Sequence, residues 1–357
     1  MTQLQRFQSA IAKSDFDAAI ISSQLNQRYL SGFDYTDGYL LISADKAYLL
    51  ADFRYIEAAR ASVRNFEVIR PESSMSDTIA QLIGEEKYVN IAIEETDLSC
   101  KDFEFFKGKL PECNLFQGAS EMLLAQRTVK LPYELELIAK AQEITDKAFA
   151  HILDFISPDL TENDVALELE FFMRKQGAEA TAFETIAVSG SASSLPHGVP
   201  SDVKLRRGFL TMDFGAKYKG YCSDMTRTVV IGKADEEMKK IYNTVLSAQL
   251  AALEKMQAGM LCRDADEIAR AVIREAGYGA AFGHSLGHGV GAYIHESPSV
   301  SPKSPEDSRL CPGNVVTVEP GIYLEGKYGC RIEDMVTIKE DGSVHNFTKS
   351  PKNLIEI

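Results

Sequence analysis

The sequence has no apolar stretch approaching the roughly 18 consecutive residues of a membrane-spanning helix. Its start, Met1-Thr-Gln-Leu-Gln-Arg-Phe, also lacks the basic region followed by an apolar one that marks a secretory leader. Six cysteines, Cys100, Cys113, Cys222, Cys262, Cys311 and Cys330, are scattered without a Cys-x-x-Cys pair. That argues against a disulfide framework and a cysteine zinc site. Basic residues are in deficit, 38 against 52 acidic, for a formal net charge of −14. Such a chain repels phosphate backbones, so no nucleic-acid partner and no membrane partner are expected. There is no phosphate-gripping glycine-rich loop and no arginine cluster. These absences lead to the expectation of a reduced, cytoplasmic protein, in which any metal site is built from harder ligands than thiolates.

What is there is an ordinary globular composition, 45% apolar and 25% charged over 357 residues, long enough for two domains. In the first third, short apolar runs predict strands at Asp17–Ser23, twice within Gly38–Asp52, at Phe66–Arg70 and from Val89 to Ile93. Amphipathic spacing predicts helices at Arg54–Val63, Ser76–Glu86 and Ser99–Leu110. This is an α/β unit, placed at 1–122. The basic, helix-poor segment Ala125-Gln-Arg-Thr-Val-Lys-Leu-Pro reads as a linker or domain entry. Residues 123–357 read as α+β. A long helix from Glu134 ends before Pro158, and the next is capped by Thr161 and Asp164. Further helices are expected over Asp235–Ala258 and Ala265–Ala276, with strand-rich stretches at Phe209–Ile231 and Val315–Ile338.

Those strand-rich stretches carry paired carboxylates. If the first reverses on Tyr218-Lys219, Asp213 sits directly opposite Asp224, with Cβ atoms about 5 Å apart. If the second reverses over Glu325-Gly-Lys327, Glu319 lies opposite Glu333. Like charges facing each other are destabilising unless a cation intervenes. One such pair is most simply a solvated strand face or a shared proton; the same cost on two hairpins calls for a cation.

Histidine is scarce, six in all, yet His284, His288 and His295 fall within Phe282-Gly-His-Ser-Leu-Gly-His-Gly-Val-Gly-Ala-Tyr-Ile-His-Glu-Ser-Pro. Glycines around His288 allow close backbone approach and unusual dihedrals. His197, in Ser193-Ser-Leu-Pro-His-Gly, is a further loop candidate, whereas His151 and His345 read as ordinary packing or surface residues. One imidazole and four carboxylates are too many ligands for one structural zinc and suit two divalent ions sharing bridging carboxylates. Oxygen-rich ligation favours Mn²⁺, with Co²⁺, Fe²⁺ and Zn²⁺ as alternatives.

The order Asp213, Asp224, His288, Glu319, Glu333 strongly resembles the pita-bread metallopeptidases: aminopeptidase P, prolidase and methionine aminopeptidase. The carriers are Asp-Phe-Gly-Ala-x-Tyr-x-Gly-Tyr-Cys-Ser-Asp-x-Thr-Arg-Thr, Gly-His-Gly-Val-Gly, Val-Glu-Pro-Gly-Ile-Tyr and Arg-Ile-Glu-Asp. Tyr29-Leu-Ser-Gly-Phe and Ala51-Asp-Phe-Arg-Tyr are similar to the creatinase-like N-terminal domain of aminopeptidase P and prolidase. The resemblance implies an α/β creatinase-like domain followed by an α+β pita-bread catalytic domain. It implies that Asp213 chelates one metal, His288 and Glu319 the other, and that Asp224 and Glu333 bridge them. A hydroxide between the metals would attack the scissile carbonyl, with Glu319 managing its proton. His197 and His284 would contact the scissile amide, His295 the proline side, and Arg331 would orient carboxylates or bind substrate. Cys222 and Cys330 read as packing.

The activity so implied is that of an Xaa-Pro aminopeptidase acting on short proline-containing peptides. The alternative is an Xaa-Pro dipeptidase (prolidase) confined to dipeptides. A silent binding module on the same fold predicts lost ligands, and all five ligand positions are filled. A two-metal phosphoesterase lacks its phosphate grip. Relatives of this kind imply a homodimer.

Overall fold

In the computed structural model, which describes residues 1–357, the apolar runs and amphipathic segments become two compact units, Met1–Gln126 and Arg127–Ile357. The first holds a mixed six-stranded sheet. In spatial order its strands are Glu67–Ile69, Ala47–Leu50, Tyr39–Ser43, Ala18–Ile21, Asn90–Ile93 and Asn114–Gln117. The central strand Ala18–Ile21 is buried throughout, as expected of an apolar run covered on both faces. Helices at Ile56–Ser62, Met75–Glu86 and Cys100–Lys109 match the amphipathic spacing, the last two starting where Ser74 and Ser99 accept hydrogen bonds from Asp77 N and Asp102 N.

The helices Gln3–Ile11 and Gln24–Ser31 and the edge strand Asn114–Gln117 are additional to the elements read from the sequence. Helix Ala119–Thr128 runs into the segment from Ala125, so the start of that segment is helical, and the division between the compact units falls within it, after Gln126. Basic residues of this segment turn inward. Arg127 Nε and Lys130 Nζ lie 3.1 and 3.2 Å from the two oxygens of the fully buried Glu296 carboxylate.

The second unit is built from two helix pairs, each packed on antiparallel strands. Helix Pro132–Phe155 begins with proline at its first turn, and helix Glu162–Lys175 has the reciprocal Thr161/Asp164 cap. Ile144, Ala148, Ile152, Val165, Leu169 and Met173 from this pair meet Leu210, Met212, Met225 and Val229 in one core cluster. The sheet beneath consists of Ile186–Ser189, Gly208–Phe214 and Met225–Ile231. Helices Glu236–Lys255 and Cys262–Glu275 pack in the same way on a five-stranded sheet. Its strands, in spatial order, are Glu296–Val300, Gly287–Gly289, Val315–Val318, Asp334–Ile338 and Val344–Asn346. A two-stranded ribbon, Gly321–Leu324 with Tyr328–Arg331, and a three-stranded sheet of Tyr221–Cys222, Ala216–Tyr218 and Ala180–Thr181 complete the unit. No helix is long and apolar enough to cross a membrane.

The register of the first hairpin differs from the expected one. The turn residues are Lys219 and Gly220, with φ of 47° and 86°, because a two-residue turn of the type suited to strand twist needs positive φ at both positions. Tyr218 therefore pairs with Tyr221, and Asp213 stands opposite Thr226, not Asp224. Asp224 lies two residues nearer the turn, so it shares a face with Thr226 and meets Asp213 diagonally. The second hairpin keeps the expected register: Gly321 pairs with Arg331 and Val318 with Asp334, leaving Glu319 and Glu333 opposed between the two ladders.

Candidate metal centre

The carboxylates stand where regular pairing ends. Asp213 is near the end of strand Gly208–Phe214, Asp224 precedes Met225–Ile231, Glu319 follows Val315–Val318 and Glu333 precedes Asp334–Ile338. Backbone pairing is diverted at these points: Glu319 N donates to Leu286 O at 2.8 Å, and Glu333 N to Thr226 O at 3.1 Å. His288 is central in Gly287–Gly289. The flanking glycines are required by close approach rather than by unusual dihedrals. A Cβ at Gly287 would lie 2.0 Å from Thr317 O and one at Gly289 2.2 Å from Ser297 O, and neither has a positive φ. The dihedral half of the sequence expectation is thus corrected.

His197, Asp213, Asp224, His284, His288, His295, Glu319, Arg331 and Glu333 all line one cavity of about 540 Å³. Phe183, Ile186, Val199 and Ile294 add an apolar wall. Ligand-capable atoms of Asp224, His288 and Glu333 lie within 4.8 Å of one another. His288 Nε2 is 3.6 Å from Asp224 Oδ2 and 3.4 Å from Glu319 Oε1. Its Nδ1 is 3.1 Å from Gly289 O. A carbonyl only accepts, so Nδ1 carries the proton and Nε2 turns its lone pair to the carboxylates. Burial lowers the pKa of this imidazole and favours its neutral form.

Burial and mutual repulsion dominate the acidic groups. Asp224 is raised well above the usual carboxylate range by burial, then by Asp213 and Glu319. Glu333 is raised likewise by burial and then Asp224, and burial pushes Glu319 up to about 8. Asp213 Oδ1 is buried with no hydrogen-bond partner. A neutral imidazole lone pair, an unpartnered buried carboxylate oxygen and like charges gathered out of water fit divalent cations and suit nothing apolar. The donor set, four carboxylates and one nitrogen, is that of hard to borderline metals.

Other groups hold these in place. Thr226 Oγ1 donates to Glu333 Oε2 at 2.7 Å and accepts from Arg331 Nε at 2.8 Å. Thr317 Oγ1 donates to Glu319 Oε1 at 3.0 Å and accepts from His288 N at 3.1 Å. Tyr323 OH accepts from Arg331 Nη1 at 2.7 Å and stands 3.0 Å from His284 Nε2. Because His284 Nδ1 donates to Ser285 O at 2.8 Å, Nε2 is the acceptor of the tyrosine hydroxyl. Burial, then Arg331, lowers the His284 pKa to about 4. Thr226, Thr317 and Tyr323 were not singled out in the sequence. The signal was available for the threonines, each two residues from an acidic residue along an extended chain and so on its face. Cys222 and Cys330 are buried, and burial pushes both thiols up to about 12, which agrees with packing.

The model of metallopeptidase family M24 matches residues 136–340, and that of the creatinase/prolidase N-terminal domain matches residues 3–129. The chain belongs to family M24. Among M24 relatives, an Xaa-Pro dipeptidase of Pyrococcus furiosus is 37% identical over 99% of both chains. A solved structure titled Xaa-Pro dipeptidase, from Bacillus anthracis, superposes with a TM-score of 0.94 at 40% identity, covering 99% of each chain. Another, titled X-Pro aminopeptidase, from Thermotoga maritima, gives 0.91 at 38% identity over 99% of this chain and 100% of that one. The M24 match makes the chain an enzyme, a metallopeptidase with a creatinase-type first domain.

Proposed function

We propose that this M24 metallopeptidase hydrolyses the bond between an N-terminal residue and proline, with Xaa-Pro dipeptides as its leading substrates. It would use two divalent cations, Mn²⁺ first among them, held by Asp213, Asp224, His288, Glu319 and Glu333. The observation that carries the reading is the convergence of these five side chains with His197, His284, His295 and Arg331 on one cavity. The dipeptidase titles of relatives matched over 99% of their length support dipeptides. The similarity to an X-Pro aminopeptidase supports the second reading, in which longer peptides are also cut.

Bound cations would supply Lewis acidity, lowering the pKa of water and polarising the scissile carbonyl. The chain's own residues do the rest. Glu319, held through one oxygen by Thr317, would take a proton from the attacking water. That proton must reach the proline nitrogen, a secondary amine that leaves as the C–N bond breaks. His197 stands at the cavity wall to contact the amide and steady the oxyanion, whereas His284, its ring nitrogens engaged by Ser285 O and Tyr323 OH, lines the wall beside it. Proline has no N–H and a fixed φ, so an apolar wall such as Phe183, Val199 and Ile294 receives its ring where an extended-backbone site would not. A homodimer in the cytoplasm belongs to the same reading, and light scattering tests the dimer.

The deciding assay uses metal-stripped protein reconstituted with Mn²⁺ and offered Ala-Pro and Ala-Pro-Ala. Cleavage of Ala-Pro supports the proposal. Cleavage of the tripeptide alone transfers it to an aminopeptidase, and cleavage of neither by metal-loaded protein overturns it.

A further inference from the structure

Between strands Ile186–Ser189 and Gly208–Phe214 the chain leaves the sheet in a loop that brings His197 to the cavity. The His197 imidazole makes no hydrogen bond to the protein, so the loop backbone alone sets its place. Both ends of that loop converge on a single buried side chain. Glu162, 2% exposed, is the first residue of helix Glu162–Lys175. Its Oε1 accepts from Ser189 N at 2.7 Å and from Ser189 Oγ at 2.9 Å. Its Oε2 accepts from Ser201 Oγ at 2.8 Å.

The backbone repeats the clasp: Glu162 N donates to Val203 O and Asn163 N to Ser201 O, both at 3.1 Å. Ser189 Oγ, while donating to Glu162, accepts from Arg206 N at 3.0 Å. No lysine or arginine touches this carboxyl group; amide and hydroxyl donors satisfy both oxygens, and the helix start provides a favourable end of the macrodipole. At the far side of the loop, Arg331 Nη1 donates to Pro196 O at 3.2 Å and Gly329 N to Ser193 Oγ at 3.0 Å. The loop is therefore held at its tip by the site and at its base by Glu162, which is itself outside the cavity lining.

We propose that Glu162 is a positioning residue for His197, closing the base of the loop so that the imidazole is presented to the scissile bond. The inference rests on the proposed Xaa-Pro hydrolysis for its kinetic consequence, but not for its structural one. Loss of the carboxylate strips the buried Ser189 N of its acceptor and frees Ser201. A displacement of about 1 Å at a reacting group costs on the order of 100-fold in rate.

The test compares Mn²⁺-loaded full-length wild type, Glu162→Ala, Glu162→Gln, His197→Ala and the Glu162→Ala/His197→Ala double variant on Ala-Pro, with hydrogen exchange of each. Glu162→Ala should lower kcat about 10- to 100-fold with a smaller change in KM. Glu162→Gln should recover most of it, because the amide oxygen still accepts from Ser189 and the Ser201 hydroxyl can turn to accept. The double variant should be no slower than His197→Ala alone, since the two act as one unit. Exchange should accelerate across residues 190–201 and not in helix Glu236–Lys255. Wild-type kcat with unchanged exchange in Glu162→Ala overturns the proposal, and so do losses that multiply in the double variant. If Glu162→Ala does not fold, Ser201→Ala, which removes one contact, must still speed exchange in the loop; no change there overturns the proposal. A wild type that cleaves no Xaa-Pro peptide sinks the functional reading alone, and the exchange measurement still decides for Glu162.

Discussion

Arg331 donates from Nη2 to Asp213 Oδ2 at 2.6 Å, and the other oxygen of that carboxylate is left buried and unpartnered. One half of Asp213 is thus fixed while the other is available to a cation. Arg331 is 3% exposed, and the same guanidinium reaches Thr226 Oγ1, Tyr323 OH and Pro196 O. A single ammonium cannot reproduce that fork. Arg331→Lys is expected to lower kcat/KM on Ala-Pro, at saturating Mn²⁺, by about 10- to 100-fold, the usual cost of losing a group that orients a metal ligand. Unchanged kcat/KM would remove Arg331 from the machinery of the site.

The raised carboxyl groups give the metal-stripped protein a pH-dependent weakness. An acid whose folded pKa exceeds its unfolded value is stabilising below the unfolded pKa and loses that contribution as pH rises to the folded pKa. For Glu319 the window runs from the ordinary 4.5 up to about 8, and Asp224 and Glu333 shift in the same direction. The Tm of stripped protein should therefore fall between pH 5 and pH 8, and Mn²⁺ should restore it most at the upper end. Because the ligands must be deprotonated, binding should release protons, visible as a dependence of calorimetric heat on the ionisation enthalpy of the buffer. A Tm independent of both pH and metal would count against a cation among these residues.

Legibility in the sequence followed the range of the interaction. Helix Glu162–Lys175 was readable because its cap is local: Thr161 and Asp164 bond to each other's backbone. The opposition of Glu319 and Glu333 was readable because a three-residue turn fixes the register on both sides. The pairing of Asp213 was misread because the turn moved by one residue, and positive φ at Lys219 next to Gly220 decides that position. Helix Ala119–Thr128 was missed because the basic segment from Ala125 read as a helix-poor connection, and the partner that holds Arg127 and Lys130, Glu296, is remote in sequence. The site's scaffold was hidden for the same reason. Nothing near Glu162 in the sequence says that Ser189 and Ser201 will close on it.

Asp224 separates stability from function most sharply. It is buried beside other carboxylates, and an amide of the same shape removes one of the repelling charges. Asp224→Asn should abolish hydrolysis of Ala-Pro and lose the Mn²⁺-dependent rise in Tm, while the metal-free variant melts above metal-free wild type, as expected where a strained site costs stability. Differential scanning calorimetry with and without chelator measures both. Retained hydrolysis would contradict a ligand role, and a lower metal-free Tm would contradict the repulsion.

Arg227 ties the carboxylates to the C-terminal segment. Its Nη1 donates to Glu333 O and Thr226 O at 2.6 and 3.0 Å, and its Nη2 to Asp334 Oδ1 and Ser350 O at 2.8 and 2.9 Å. Nε reaches Pro351 O at 3.1 Å. Burial pushes the Asp334 carboxyl up, but Arg227 and then Lys352 outweigh it and hold the group low. Arg227→Leu leaves Lys352 as the only cation on Asp334 and takes the guanidinium from four backbone carbonyls, of which Thr226 O keeps Glu333 N as a donor. It should cost about 3–5 kcal/mol in urea unfolding of the metal-free protein. The double variant Arg227→Leu/Asp334→Leu should recover part of that loss, because the penalty lies mostly in the charge left uncompensated. Metal affinity should stay weakened in both, since the Glu333 carbonyl remains untethered. A single variant within 1 kcal/mol of wild type would show that the strands carrying Thr226 and Glu333 are held together without this guanidinium.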